Sequence, residues 1–235
     1  MTMKYTIEPL GDNSLIIELG QDMSPEIQQK VKKISSFFEE HAFDWVIETV
    51  PGFTTVAVFY DPLKIETTSL PYDEVCKFLE PLLDELEVDD NAEPRVVEIP
   101  VCYGGEFGPD LEEVANHNGL TVDEVIDIHS NGEYTVYMIG FAPGFPYIGG
   151  MSERIAAPRR SNPRLKIPAG SVGIAGKQTG VYPIETPGGW QLIGKTPEKL
   201  FTPEGETPSL LQAGDQIKFV PISEEEFQKY EEDAK

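Results

Sequence analysis

Positive charge is scarce in this chain of 235 residues: 18 lysines and arginines stand against 41 aspartates and glutamates, a formal net charge of −23. So acidic a chain is a poor match for nucleic acid, because phosphate contacts need a positive surface that releases counterions. Cysteine is scarcer still. Cys76 and Cys102 fall in different segments without paired spacing, which predicts reduced thiols rather than a disulfide or metal site. The histidines, His41, His117 and His129, form no ligand pattern, so no metal is expected. No apolar run approaches the roughly 20 residues of a membrane-spanning helix. The opening MTMKYTIEPL lacks the charged-then-apolar layout of a secretory signal. The expectation is a cytoplasmic protein that binds neither nucleic acid nor membrane.

The few cations that exist are gathered in one place. Residues 141–197 hold seven of them (Arg154, Arg159, Arg160, Arg164, Lys166, Lys177, Lys195) against two acids, Glu153 and Glu185. That segment carries +5, so the remainder carries −28. A cationic island on an acidic protein calls for an anionic ligand or an acidic partner surface. It also holds ten of the 21 glycines, the mark of backbone shaped for close approach.

Hydrophobic residues make up 40% of the chain, enough for one large core or two small ones. Apolar stretches at 5–8 and 15–19 flank Gly11-Asp12-Asn13 and predict a hairpin. Ser24-Pro25 opens a helix to about Glu40 with Ile27, Val31, Ile34 and Phe38 on one face. Strands at 45–50 and 54–60 form a second hairpin around Pro51-Gly52. A helix over 72–86 follows, with Pro81 as a kink. The order ββαββα predicts an α+β domain over residues 1–88, helices on one face of an antiparallel sheet. The acidic stretch LEVDDNAEP, residues 86–94, is the candidate linker.

The second domain is expected over 89–235. Its pattern is a strand at 95–103, a helix after Gly108-Pro109 ended by Gly119, and a helix opened by the capping box Thr121–Glu124. Short strands at 134–139, 172–175, 181–185, 191–193 and 216–220 then point to a mainly β barrel or sandwich. Prolines over 157–168 place Arg159, Arg160, Arg164 and Lys166 on an ordered loop. The acidic tail, 224–233, reads as a terminal helix with Phe227 and Tyr230 facing inward.

Three strings in this half carry a family resemblance: PVCYGGEFGPDLEEVA (100–115), IGFAPGFPYIGGM (139–151) and PAGSVGIAGKQTGVYPIETPGGWQLIGKTP (168–197). In these the chain resembles the family of the 5-oxoprolinase B subunit, also known as KipI and allophanate hydrolase subunit 1. The resemblance implies a cyclophilin-like β-barrel behind the α+β domain. It implies a partner, the C subunit of 5-oxoprolinase, with which 5-oxoproline is activated by ATP, with Mg, before the A subunit completes ring opening to glutamate. It also implies a second family role, inhibition of a sensor histidine kinase. Related domains belong to the carboxyltransferase part of urea carboxylase, so another amide such as a urea derivative is an alternative substrate.

Activating a lactam with ATP is mostly positioning and neutralisation of phosphate charge. Fixed cations, Arg164, Lys166 and Lys195, together with Glu106 as a general acid or base, are the candidate catalytic residues. Gly170, Ser171, Gly173, Gln178, Thr179, Gly188 and Gly189 are the candidate substrate or phosphate contacts, through backbone N–H groups in glycine-rich turns. Phe141, Pro143, Phe145, Tyr147, Tyr182 and Trp190 are candidate pocket or interface residues. Each has a plainer alternative: barrel-corner glycines, arginines paired with acids, aromatics packed in a core. Asp110 serves equally as a carboxylate for proton transfer or as a helix-start residue. There is no Walker motif, so ATP rests on the resemblance alone. A stand-alone prolyl isomerase read from the barrel is the weakest alternative, since fold does not carry function.

Overall fold

The computed structural model describes residues 4–21, 24–86, 94–205 and 207–233, and the chain divides into two compact units, Met1–Glu93 and Pro94–Lys235. Residues 87–93 of the expected linker lie outside the described residues.

The first unit runs β1 (Thr6–Pro9), β2 (Ser14–Glu18), α1 (Pro25–Glu40), β3 (Val46–Pro51), β4 (Thr55–Tyr60) and α2 (Pro71–Glu85). Its sheet has the order β1-β2-β4-β3, antiparallel throughout. Alternate residues Leu15, Ile17, Val56 and Val58 point to one side and meet Val31 and Ile34 of α1 and Leu79 and Leu83 of α2 in a single core. Helix α1 begins as its sequence dictates, with the Ser24 side chain accepting from the Ile27 N–H. Pro81 is accommodated inside α2 on its exposed side.

The second unit begins with β5 (Val96–Tyr103), α3 (Leu111–Asn118) and α4 (Val122–Ser130). Gly119 closes α3 in the left-handed region at φ 65°, and both halves of the Thr121–Glu124 capping box are formed at the start of α4. Strands β6 (Tyr134–Ile139), β7 (Pro146–Gly149), β8 (Arg164–Ile167), β9 (Ser171–Ala175), β10 (Gln178–Val181), β11 (Thr186–Gly188), β12 (Gln191–Lys195) and β13 (Gln216–Pro221) follow, then α5 (Glu224–Asp233). Seven of these strands close a barrel in the order β10-β7-β6-β13-β5-β12-β9, with β8 and β11 forming a separate two-stranded ribbon. Only the β13–β5 pairing is parallel within the barrel. Leu111, Val114 and Val125 of α3 and α4 join the barrel's core.

Three expectations are corrected. The strand expected at 181–185 lies at Gln178–Val181, because Gly176-Lys177 turns the chain tightly out of β9 and Pro183 ends the run. Arg164 and Lys166 stand on strand β8, not a loop: Pro163 and Pro168 bracket this strand rather than interrupt it. Tyr230 is 45% exposed, and the buried residue of α5 is Phe227, 2% exposed and tilted against Phe107 at 4.6 Å.

Candidate functional site

The chain between β6 and β7 is two nested turns. Ala142-Pro143-Gly144-Phe145 closes through Phe145 N–H to the Ala142 carbonyl at 3.0 Å, with Gly144 at φ 75°, the backbone a Pro-Gly type II turn requires. Just before it, the Ala142 N–H donates to the Gly140 carbonyl at 2.7 Å and forces Phe141 to φ 66°. This is a γ-turn, and among the described residues Phe141 is the one non-glycine with positive φ. Phe141 is left 73% exposed, while Phe145 is 4% exposed.

Phe145 is the hub of an edge-to-face aromatic cluster. Its ring centroid lies 5.5 Å from Phe141, 5.4 Å from Tyr147, 5.9 Å from Tyr182 and 6.1 Å from Trp190. Ile167 and Leu192 complete the packing. The glycines of the island make room for these rings. A Cβ on Gly180 would stand 2.9 Å from Trp190, and one on Gly188 would stand 2.6 Å from the Tyr182 hydroxyl. Burial pushes the Tyr182 hydroxyl pKa up to about 12, against the opposing pull of Arg159 and Arg164.

Beside this cluster sits a saturated carboxylate. Asp110, 3% exposed, accepts from Arg160 Nη1 at 2.8 Å, from Arg164 Nη1 and Nη2 at 2.8 and 2.7 Å, and from the Leu192 N–H at 2.7 Å. A carboxylate offers about four lone-pair sites, and all are taken. Asp110 therefore has no lone pair left for proton transfer. It tethers the start of α3 to β8, to β12 and to the Arg160 segment, and Arg164 is bound to it twice.

Lys195 stands apart from that pair. Its Nζ lies 5.4 Å above the Phe227 ring, and with Gly170, Thr196 and Lys199 it lines a pocket of about 160 Å³. Arg164, Lys166 and Glu106 are not among the described lining residues. Lys166 is exposed and pairs with Glu185 at 3.0 Å. Glu106 is exposed on the turn after β5. Around Gly170 the backbone is engaged: its N–H donates to Tyr182, the Ser171 N–H to Pro168, and the Gly170 carbonyl accepts from Thr196. Ser171, Gly173 and Thr179 are buried in β9 and β10, Gln178 is half-buried, and the Gly189 carbonyl accepts from the Arg160 N–H. The residues expected to contact phosphate are thus largely interior, and the cations are dispersed. Among the described residues no group of three acids, histidines or cysteines is placed to hold a metal.

The barrel interior holds a polar chain that the sequence did not reveal. Tyr103 Oη lies 2.7 Å from His129 Nδ1, His129 Nε2 lies 2.8 Å from Thr179 Oγ1, and Thr179 donates to the Gly173 carbonyl at 3.2 Å. A hydroxyl has one proton, so Thr179 must accept from His129 Nε2–H, and Nδ1 accepts from Tyr103. Burial lowers the His129 pKa to about 3, which keeps the ring neutral in this arrangement. No periodicity marks His129 as special. Its partners come from strands 26 and 50 residues away.

Comparison with known proteins places the fold and strings in context. Residues 5–211 match the family described as carboxyltransferase domain, subdomain C and D. Over its full length the chain is 55% identical to the 5-oxoprolinase B subunit of Bacillus subtilis, with 100% of both chains covered. The chain belongs to the 5-oxoprolinase B-subunit family. It is also 42% identical to the 5-oxoprolinase B subunit of Escherichia coli O157:H7, over 92% of this chain and 95% of that one. The crystal structure of TTHA0988 superposes with a TM-score of 0.77 at 32% identity, over 89% of this chain and 40% of that one. This chain therefore spans less than half of that larger protein. Among the described residues, the surface features near this site are the Lys195 pocket and the exposed Phe141 ring, and the first unit carries a separate cavity of about 370 Å³ lined by Trp45, Lys64 and Phe78.

Proposed function

We propose that the chain is the B subunit of an ATP-dependent 5-oxoprolinase. It acts with the C subunit to activate 5-oxoproline, and the A subunit then completes ring opening to glutamate. The observation that carries this reading is the 55% identity, end to end, with the Bacillus subtilis protein of that name. The pocket beside Lys195 supports part of the chemistry. At about 160 Å³ it is smaller than the roughly 300 Å³ at which clefts for drug-sized ligands begin, so it admits a phosphate or carboxylate group rather than a nucleotide. Lys195 and Lys199 supply the charge for such a group, and Glu198 and Glu231 on the same lining oppose it. Among the described residues no group of three acids, histidines or cysteines is placed for a metal, so ATP and Mg are assigned to the assembled complex and no catalytic step is drawn through them on this chain. The experiment is co-expression with the A and C subunits and an assay of 5-oxoproline consumption with and without ATP. ATP-dependent consumption is expected. Turnover of a urea derivative in place of 5-oxoproline would move the substrate to another amide.

A further inference from the structure

The pocket beside Lys195 carries charge of both signs. Two lysines, Lys195 and Lys199, and two glutamates, Glu198 and Glu231, line it. Among the described residues none of these four takes part in an ion pair, whereas Arg160, Arg164, Lys166 and Lys177 of the same cationic island are each paired with an acid. Pro183, Pro197 and Phe201 give the lining an apolar wall. The side that carries Lys195 is fixed by the backbone. Gly170 has φ 82°, its carbonyl accepts from the Thr196 N–H at 2.9 Å, and a Cβ there would stand 2.4 Å from the Thr196 carbonyl oxygen. Glu231 reaches the pocket from elsewhere. It is supplied by α5, while Lys195 ends β12 and Glu198 and Lys199 follow it in the chain. Phe227 precedes Glu231 by four residues and so shares its helix face. Its ring is buried against Phe107, and Lys195 Nζ lies 5.4 Å over it. The seat of Phe227 thereby sets where Glu231 stands.

We infer that Glu231 is the charge filter of this pocket, held there by α5 so that a singly charged carboxylate is accepted and a doubly charged anion such as phosphate is refused. The attraction of an anion to the lining grows in proportion to the anion's charge, but the cost of stripping its water grows as the square of that charge. Two lysines opposed by two glutamates leave only a small attraction. It offsets the desolvation of one charge and falls short for two. The apolar wall then suits the uncharged body of a small organic acid better than a compact inorganic ion. The inference rests on the proposed reading of this pocket as an anion site and narrows the anion it takes.

The test titrates the isotope-labelled full chain, alone, with acetate and with sulfate, a doubly charged stand-in for phosphate. Binding is followed by the amide NMR shifts of Gly170 and Thr196 at matched ionic strength. The wild type is expected to bind acetate more tightly than sulfate. Glu231→Gln is expected to tighten acetate about 3-fold and sulfate about 9-fold, because deleting one fixed charge acts on each ligand in proportion to its own charge. Both gains are expected to shrink as added salt screens them. Glu232→Gln deletes the same charge one position along, outside the described lining, and is expected to change neither affinity by more than about 2-fold. Lys195→Ala is expected to abolish the shifts. Tighter binding of sulfate than acetate by the wild type overturns the filter, as do equal gains in Glu231→Gln and Glu232→Gln. Shifts that persist in Lys195→Ala, or no shift with either anion, overturn the pocket as an anion site. Neither ATP nor another subunit is present, so each of these failures leaves the proposed 5-oxoprolinase role to its own turnover assay.

Discussion

At the scale of single residues, the same charge type serves two different ends. Arg164 and Lys195 both sit in the cationic island, yet Arg164 is committed to a carboxylate that is 3% exposed and Lys195 faces a pocket. Asp110→Ala would strand two guanidinium groups, and breaking a buried pair this way typically costs about 3–5 kcal/mol. Asp110→Ala and Arg164→Ala are therefore expected to lower the melting temperature strongly. Lys195→Ala is expected to melt nearly as the wild type and to lower turnover of the reconstituted complex about 10²-fold, as when one donor to developing charge is removed. Lys33→Ala, on the exposed side of α1, is the control expected to be silent in both measurements. The sequence showed Asp110 only as a helix-start or proton-transfer candidate. Its pairing with arginines 50 and 54 residues away is a tertiary fact that no local pattern encodes.

His129 supplies a pH prediction at the same scale. Its folded pKa, about 3, lies below the ordinary 6.5 because burial disfavours the charged ring. Above pH 6.5 both states are neutral and the residue adds no pH dependence. As pH falls below 6.5, the unfolded chain takes up a proton that the folded chain refuses, so stability falls, by up to about 1.4 kcal/mol per pH unit. Carboxylates whose folded pKa values are lowered, such as Glu124 through its bonds to the Thr121 backbone and side chain, add their loss only at lower pH. Denaturant titrations between pH 6.5 and 5 are expected to show this slope in the wild type and a shallower one in His129→Gln. Equal slopes would mean that the buried ring is protonated in the folded state.

At the scale of elements, the sequence was most legible where a hydrogen bond is local. The Ser24 cap of α1, the Thr121–Glu124 box of α4 and the left-handed Gly119 after α3 each depend on residues within a few positions, and each stands where its sequence indicates. Thr121→Ala is expected to cost about 1 kcal/mol, measured by denaturant unfolding. Strands β7, β8 and β11 escaped because they are three or four residues long and are made by their pairing rather than by periodicity. The island glycines read naturally as phosphate turns. In the structure Gly180 and Gly188 seat Trp190 and Tyr182 instead, a packing role invisible without the partner ring. Gly188→Ala is expected to displace β11 from the Tyr182 hydroxyl and Ile167, seen as loss of the near-ultraviolet dichroism of the buried aromatics.

At the scale of the whole molecule, each unit has its own core, one among α1, α2 and the four-stranded sheet, the other inside the barrel. The α+β and barrel architectures were both legible, because alternation and turn residues report fold class even where individual strands are displaced. The proposal of an assembly came only from family resemblance. The interior histidine adds what resemblance alone does not, a Tyr103–His129–Thr179 hydrogen-bond chain closed inside the barrel. The most direct measurement is a leave-one-out rate. Glutamate release from 5-oxoproline and ATP would be followed with the A and C subunits alone, then with this chain added. ATP-dependent release that appears only when this chain is present is the expected result. The same rate from the A and C subunits without it would contradict the proposed role.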